Sequence, residues 1–454
     1  MAHTVAPANL SLARVGVRSG GWGRDEGGSW RDGGQGRMEL FPIQLLFMVV
    51  LMNRYVLGPL LRRLKGRKFD RVDDTYLPRV AIVIPLFNEG EGIYHGVRSL
   101  LEQDYPSHLL QIVVVDDCSK DDSYAWALKA AEGNPNVIVM RNPENMGKRK
   151  GINRAVKAAT DAEIIVSVDS DVIVDKAAVR QLVRRFVSPR IAAVGGRTYV
   201  TNRHQNWMTR MIEIKFHFAQ EWLKDLERSF RQVMCLSGCL TAYRRHVLLE
   251  LEPILEARAI AGIPIKYGED RFLTRQIVKH DYETVYTLDA FCFTAAPSTL
   301  AGYFSQQLRW RRSNLVDLLG GLSHAWRLHP VVAVHYVSQL ALLLSYPLVI
   351  VHNVLTGEFW DILAFHFLVI GLLGVIYRIE TRHLPADRRV HGASFLPMAL
   401  LMPVTYALFT PLALLTLDSG SWETRGSASA APETSPVDSG GRFPPTHAGE
   451  GTTP

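Results

Sequence analysis

The stretch Ile112-Val113-Val114-Val115-Asp116-Asp117 decides the reading of the fold: four β-branched apolar residues in a row, ended by two carboxylates. A continuous run of this kind suits a strand buried on both faces, as a parallel sheet requires. Similar runs occupy Val80–Pro85, Val137–Met140, Ile164–Val168 and Ile191–Val194. Helical patterns near Glu91–Gln103, Ser123–Glu132, Lys148–Ala159 and Lys176–Val187 lie between them. This alternation predicts an α/β domain with a mostly parallel sheet and ligands at the carboxyl ends of its strands. No Gly-x-Gly-x-x-Gly follows the first strand, which argues against a dinucleotide fold.

Three acidic clusters carry candidate chemistry. Asp116-Asp117 ends one strand, Asp169-Ser170-Asp171 ends another, and Gly268-Glu269-Asp270 opens a helical stretch, Arg271–Val278. Any one of them can be a turn or a helix cap. Three in one α/β domain point to a site. An Asp-x-Asp at a strand end suits Mg²⁺ or Mn²⁺ on a diphosphate, because hard cations take one or two carboxylates and complete their shell with phosphate oxygens and water. Lys148, Arg149 and Lys150 open a helix after Asn145-Met146-Gly147, where basic side chains and free backbone N–H groups suit a phosphate. The competing reading is a solvated basic face.

Of the 454 residues, 47% are hydrophobic and 21% charged, with the apolar excess at the two ends and the charge in the middle. The formal charge of +7 comes largely from Arg and Lys beside apolar runs, so lipids and phosphate-bearing substrates are the expected partners. No nucleic-acid motif occurs. The four cysteines show no metal-type Cys-x-x-Cys spacing and read as reduced thiols in a cytoplasmic domain.

Residues 1–37 are rich in Gly and Arg, are expected to be disordered, and contain no signal-peptide h-region; Met38 is an alternative start. The run Leu40–Leu61, within residues 38–62, is long enough to span a bilayer although Asn53 and Arg54 interrupt it. Val331–Leu355, Phe359–Tyr377 and Phe395–Leu417 make three further candidate spans within 331–417, the last carrying Pro397, Pro403 and Pro411. Arg62, Arg63, Lys65, Arg67 and Lys68 follow the first span, and Arg309, Arg311, Arg312 and Arg327 precede the second. The loop Thr356–Glu358 has no basic residue. The positive-inside rule then puts residues 63–330 in the cytoplasm and both termini outside a multi-pass plasma-membrane protein. The segment near 207–226 reads as a helix in the membrane interface or a plain core helix, that near 299–323 as a second interfacial helix, and 418–454 as a disordered tail.

Taken in order, Pro85-Leu-Phe-Asn88-Glu89, Val115-Asp116-Asp117, Asp169-Ser-Asp171, Gly268-Glu269-Asp270-Arg271 and Gln306-Gln-Leu-Arg309-Trp310 resemble the motif set of processive family-2 glycosyltransferases. The resemblance covers roughly residues 78–345. Leu236–Arg245 and the segment from Gly268 to Thr274 look most similar to hyaluronan synthases and the rhizobial chitin-oligosaccharide synthase. Two departures from the hyaluronan synthases stand out, Gly-Glu-Asp in place of Gly-Asp-Asp and Cys239 in place of Pro.

The resemblance implies a nucleotide-sugar-binding domain of GT-A type inserted between transmembrane helices. In it Asn88, Glu89, Lys148 and Arg149 line the nucleotide site, Asp116 or Asp117 contacts uridine, and Asp169 and Asp171 serve the metal and diphosphate. It further implies Asp270 as general base beside Glu269, with Gln306, Arg309 and Trp310 at the acceptor end. The implied activity is inverting, processive transfer from a UDP-sugar, first of all UDP-N-acetylglucosamine, to a growing polysaccharide. The alternative is a non-processive transferase with a polyprenyl-phosphate acceptor.

Overall fold

A computed structural model describes residues 71–418 except 261 and 266, with isolated positions 49, 57 and 60. The first candidate span, the amino-terminal segment and the tail therefore lie outside the described residues. In chain order the elements are β1 (Val80–Leu86), α1 (Gly92–Leu101), β2 (Leu110–Asp116), α2 (Ser123–Ala131), β3 (Val137–Arg141), α3 (Lys148–Ala158) and β4 (Ile164–Ser167). Then come β5 (Ile173–Val174), α4 (Ala178–Val183), β6 (Ile191–Val200), α5 (Trp207–His217), α6 (Leu223–Arg228), β7 (Thr241–Arg244) and α7 (Arg245–Glu256). The hairpin β8 (Ala259–Ile260) and β9 (Ile263–Pro264), α8 (Glu269–Lys279), β10 (Glu283–Thr294) and α9 (Leu300–Gly321) lead to three long helices. These are α10 (Pro330–Leu355), α11 (Phe359–Glu380) and α12 (Met398–Leu415).

The main sheet has the order β3-β2-β1-β4-β7-β6-β10-β5. The pairs β1–β2, β1–β4, β2–β3 and β6–β10 are parallel; β7 runs antiparallel to both β4 and β6. Every residue of β1 is buried. Its side chains alternate between two cores, as the two-residue strand period demands: Ile82 and Ile84 face one, Ala81 and Val83 the other. Because β2, β1 and β4 are adjacent and parallel, Asp116, Asn88 and Asp169 leave the sheet at the same edge.

The helix expected over 176–187 is confined to Ala178–Val183. Pro189 disfavours helical backbone at Ser188, which bars a helix from running past Val187. The acidic pair Glu269-Asp270 lies inside the first turn of α8 rather than before it. The 207–226 segment continues from α5 through a π turn, Phe218–Trp222, into α6. An Asn206–Thr209 capping box starts it. Its apolar residues Met211, Ile214 and Phe218 share a core with Leu373 and Tyr377 of α11 and Phe395. Three helices, Pro330–Leu355, Phe359–His383 and Met398–Leu415, are long and apolar enough to cross a membrane.

Candidate active site

The site is built where β1, β2 and β4 end. Beyond β1 the chain turns through Asn88 and Gly90, both with positive φ. The turn is tied down from the β2 side: Asn88 N donates to Ser119 Oγ at 3.0 Å, and Glu89 N and Gly90 N donate to Ser123 Oγ at 2.7 and 2.8 Å. Asn88 Oδ1 in turn accepts from Lys120 N at 2.9 Å. Asp116 is fully buried; Ser119 donates to it and Arg141 pairs with it at 3.1 Å. Asp117 holds the next loop in place, accepting from Asn142 Nδ2 at 2.7 Å, Met146 N at 2.8 Å and Gly147 N at 2.7 Å. Those bonds set the start of α3, and so the position of Lys148.

Lys148 joins two motifs that are distant in sequence. Its Nζ lies 2.6 Å from Asp169 Oδ1 and 2.8 Å from Glu269 Oε1. Burial works against its charge, yet the two carboxylates hold Lys148 well above the usual lysine value. Burial likewise pushes Glu269 up, but the ammonium prevails and holds it below the usual carboxylate range. Asp270 goes the other way: burial, then the adjoining Glu269, raise its carboxyl. Its Oδ2 accepts from Gly238 N at 3.3 Å. One carboxylate of the pair thus stays charged while its neighbour gains affinity for a proton.

Glu89 reaches the same place through Ser170, whose hydroxyl donates to Glu89 Oε2 at 3.2 Å. Asp171 Oδ2 accepts from Thr294 Oγ1 of β10 at 3.2 Å. Asp169 and Asp171 converge on Cys239, whose thiol is pushed up to about 12 by burial and by these two carboxylates. Cys239 Sγ is 3.7 Å from Asp169 Oδ2. Among the described residues no three ligand side chains gather in the manner of an all-protein metal site. Two hard carboxylates, Asp169 and Asp171, set two residues apart just beyond β4 and meeting beside Cys239, are oxygen donors of the kind a divalent cation takes before substrate oxygens and water complete its shell, so the residues present fit one.

Arg149 does not join this cluster. Its guanidinium donates to the carbonyls of Leu255 and Ile265, the latter at 2.9 Å, tying α3 to the end of α7 and the chain beyond β9.

On α9, Gln306, Arg309 or Trp310, and Ser313 recur at helical spacing and so share a face. That face meets the acidic pair at Gly268, where φ is +68° and a Cβ would overlap the Ser313 hydroxyl. Only glycine allows α9 to lie this close to the start of α8. Trp310 rests against Phe216 of α5, ring centroids 6.1 Å apart, and Arg309 is exposed. Sequence reasoning missed the parts supplied by Ser237-Gly238-Cys239 and by Lys215. The Leu236–Arg245 run was a visible signal for the first; nothing local marks Lys215.

The pattern described as glycosyltransferase-like family 2 matches residues 78–313, which contain all of these groups. An N-acetylglucosaminyltransferase of Rhizobium meliloti (strain 1021) is 31% identical over 413 residues, 88% of this chain and 93% of that protein. One of Rhizobium leguminosarum bv. viciae is 32% identical over 378 residues, 80% and 85% of the two chains. A mannosyltransferase from Pyrobaculum calidifontis, solved with GDP-Man and Mn2+, superposes with a TM-score of 0.50 at 19% identity, covering 82% of this chain and 95% of its own. That likeness speaks for a shared GT-A fold. Extending over the whole sheet and its acidic edge, these matches make the chain a glycosyltransferase, a member of the glycosyltransferase-like family 2.

Proposed function

We propose that the protein is a membrane-bound, processive, inverting transferase that uses UDP-N-acetylglucosamine to build and export a β-linked polysaccharide. One observation carries this reading: Lys148 bridges Asp169 and Glu269, while α9, which carries Gln306–Trp310, packs through Ser313 against Gly268 next to Glu269 and runs on, through a 3₁₀ turn at Leu322–Arg327, into the apolar helix α10. Donor chemistry, base and the first residues of a membrane path are then continuous.

In this reading the chain-end hydroxyl of the acceptor attacks the anomeric carbon. The bond to the UDP oxygen breaks with its electron pair, and Asp270 accepts the hydroxyl proton. The raised proton affinity of Asp270 suits that task. Lys148 and the amino-terminal turn of α3 hold the diphosphate. A divalent cation, Mg²⁺ or Mn²⁺, on Asp169 and Asp171 would neutralise charge on the departing diphosphate. The uridine contact falls to Asp116 or Asp117, the first held by Ser119 and Arg141 and the second by the chain at Met146 and Gly147. Trp310 offers an apolar face to the acceptor ring.

The relatives named as N-acetylglucosaminyltransferases support the choice of sugar, and the three apolar helices support a multi-pass protein in the plasma membrane. The basic residues before α10 favour a cytoplasmic catalytic domain. Membranes incubated with single labelled UDP-sugars, and the product digested with chitinase or hyaluronidase, test the proposal. A long chitinase-sensitive product is expected from UDP-N-acetylglucosamine alone. A single-sugar product on a lipid would sink the processive reading in favour of a polyprenyl-phosphate acceptor.

A further inference from the structure

Beside the acceptor end of the site lies a polar cluster that the reaction above does not use. Lys215 of α5 donates from Nζ to Gln307 Oε1 at 2.5 Å. The same ammonium sits 5.5 Å from the ring centroid of Tyr303 and 5.7 Å from that of Trp310. Arg311, one turn beyond Gln307, is buried with its guanidinium 3.7 Å from the ring centroid of Tyr406 on α12. No carboxylate among the described residues sustains the Lys215 charge: burial and the Arg311 guanidinium pull it down to about 7. Two cations packed among aromatic rings, with only a carboxamide between them, are a costly arrangement for stability alone.

The hydrogen-bond account is also incomplete. Of the three Lys215 donors, Gln307 Oε1 takes one. Gln307 Nε2 and Gln306 Oε1 are buried atoms without a partner among the described residues. Buried polar atoms of native proteins find partners, and an exception needs an explanation. The three residues together offer ammonium and carboxamide N–H groups to an oxygen and one carbonyl to an N–H. Apolar walls from Trp310, Phe216 and Tyr303 complete the set. An acetamido group has this make-up: a carbonyl acceptor, an N–H donor and a methyl. A sugar carboxylate would satisfy the cations but leave Gln306 Oε1 without a donor.

We propose that Lys215, with Gln306 and Gln307, forms the subsite that recognises the acetamido group of the acceptor sugar, so that Lys215 determines acceptor specificity. This rests on the N-acetylglucosaminyl reading above, and the test separates the two. The full chain in lipid nanodiscs is titrated with chitotetraose and with cellotetraose, which share a β-1,4 backbone and differ in the acetamido group. The wild type binds chitotetraose the more tightly. Lys215→Met raises its Kd about tenfold, the scale of one lost hydrogen bond to a charged donor. In that variant the affinities for cellotetraose and UDP stay within about twofold, and Lys215→Arg recovers part of the preference.

A wild type without preference, or a Met variant that keeps it, overturns the proposal. So does a Met variant that loses UDP affinity in parallel, because the residue then acts through the fold. Donor identity is read separately, as UDP released from UDP-N-acetylglucosamine without added oligosaccharide. Selective chitotetraose binding without that release would remove the donor reading and support the subsite.

Discussion

Asp270 and Asp171 are both carboxylates at one site, yet their surroundings differ. Asp270 is buried beside a second carboxylate and is pushed toward its protonated form, whereas Asp171 faces a hydroxyl on β10. The difference predicts separable phenotypes. Asp270→Asn keeps the size of the side chain and cannot take a proton, so polymer synthesis falls by roughly 10²–10⁴-fold while UDP affinity with Mn²⁺ changes little. Asp171→Asn lowers Mn²⁺-dependent UDP affinity and turnover together. Calorimetric titration of UDP with and without Mn²⁺ on both variants distinguishes the roles. If Asp270→Asn loses metal-dependent binding as badly as Asp171→Asn, the base is misassigned.

At the scale of elements, the contact between α8 and α9 decides how the acidic pair meets the Gln306–Trp310 face. Gly268 makes that contact in the left-handed region with no room for a side chain. Gly268→Ala is expected to destabilise by about 1–3 kcal/mol, combining backbone strain with a clash that must move α9. Ser313→Gly in the same chain should recover the steric part and leave the strain. Thermal melting of the single and double variants in detergent reads this directly, and equal melting of Gly268→Ala and wild type would refute it. A comparable constraint lies in the helical region, where a Cβ at Gly374 would come within 2.6 Å of the Gly392 carbonyl, so α11 and the following turn touch backbone to backbone.

At the scale of the molecule, the long helices expose Leu348, Leu355, Leu368, Leu372 and Leu415, an apolar surface suited to lipid. Trp326 before α10 and Trp360 at the start of α11 are 74% and 73% exposed, one near each end of a helix about 40 Å long by its rise. With the run 40–61 as the first of four spans, a reporter fused after Leu417 should report the outside of the cell. A cytoplasmic signal would remove one span from the count. The sheet and the helices are joined through His217, which lies 2.9 Å from Glu221 and 3.1 Å from Glu380 at the end of α11. Arg197 of β6 pairs with the same Glu221 at 2.5 Å.

Burial opposes the His217 charge, but Glu221 and Glu380 outweigh it and raise its proton affinity above the usual 6.5. A raised folded-state value means that this stabilisation is complete below 6.5 and is lost as pH rises through the folded value. The His217 contribution should therefore give the melting temperature a downward slope as pH rises above about 6.5, opposite in sign to the contribution of Lys215. His217→Phe should flatten that slope, and an unchanged slope would assign the titration elsewhere.

Some of this was legible in the sequence because it depends on neighbours a few positions away. Strands β1 to β4 and the start of β6 are apolar runs rich in β-branched residues, two of the three acidic motifs stand at strand ends, and α10 to α12 are apolar over the length of a bilayer. Strand β7, which runs against its neighbours, and β10, which carries Thr284, Thr287 and Asp289, have no such local mark. They are strands because β6 lies beside them. The same holds for side chains. Lys148 and Arg149 are adjacent and both basic, yet one bridges Asp169 and Glu269 and the other caps backbone carbonyls. A charge takes its role from the partner that chain crossing brings within about 3 Å, at distances where Coulomb and hydrogen-bond energies are large. Residue type and local order determined which groups the chain has to spend; only the tertiary structure decided that Cys239 lies on Asp169 and Lys215 on the Gln306–Trp310 helix.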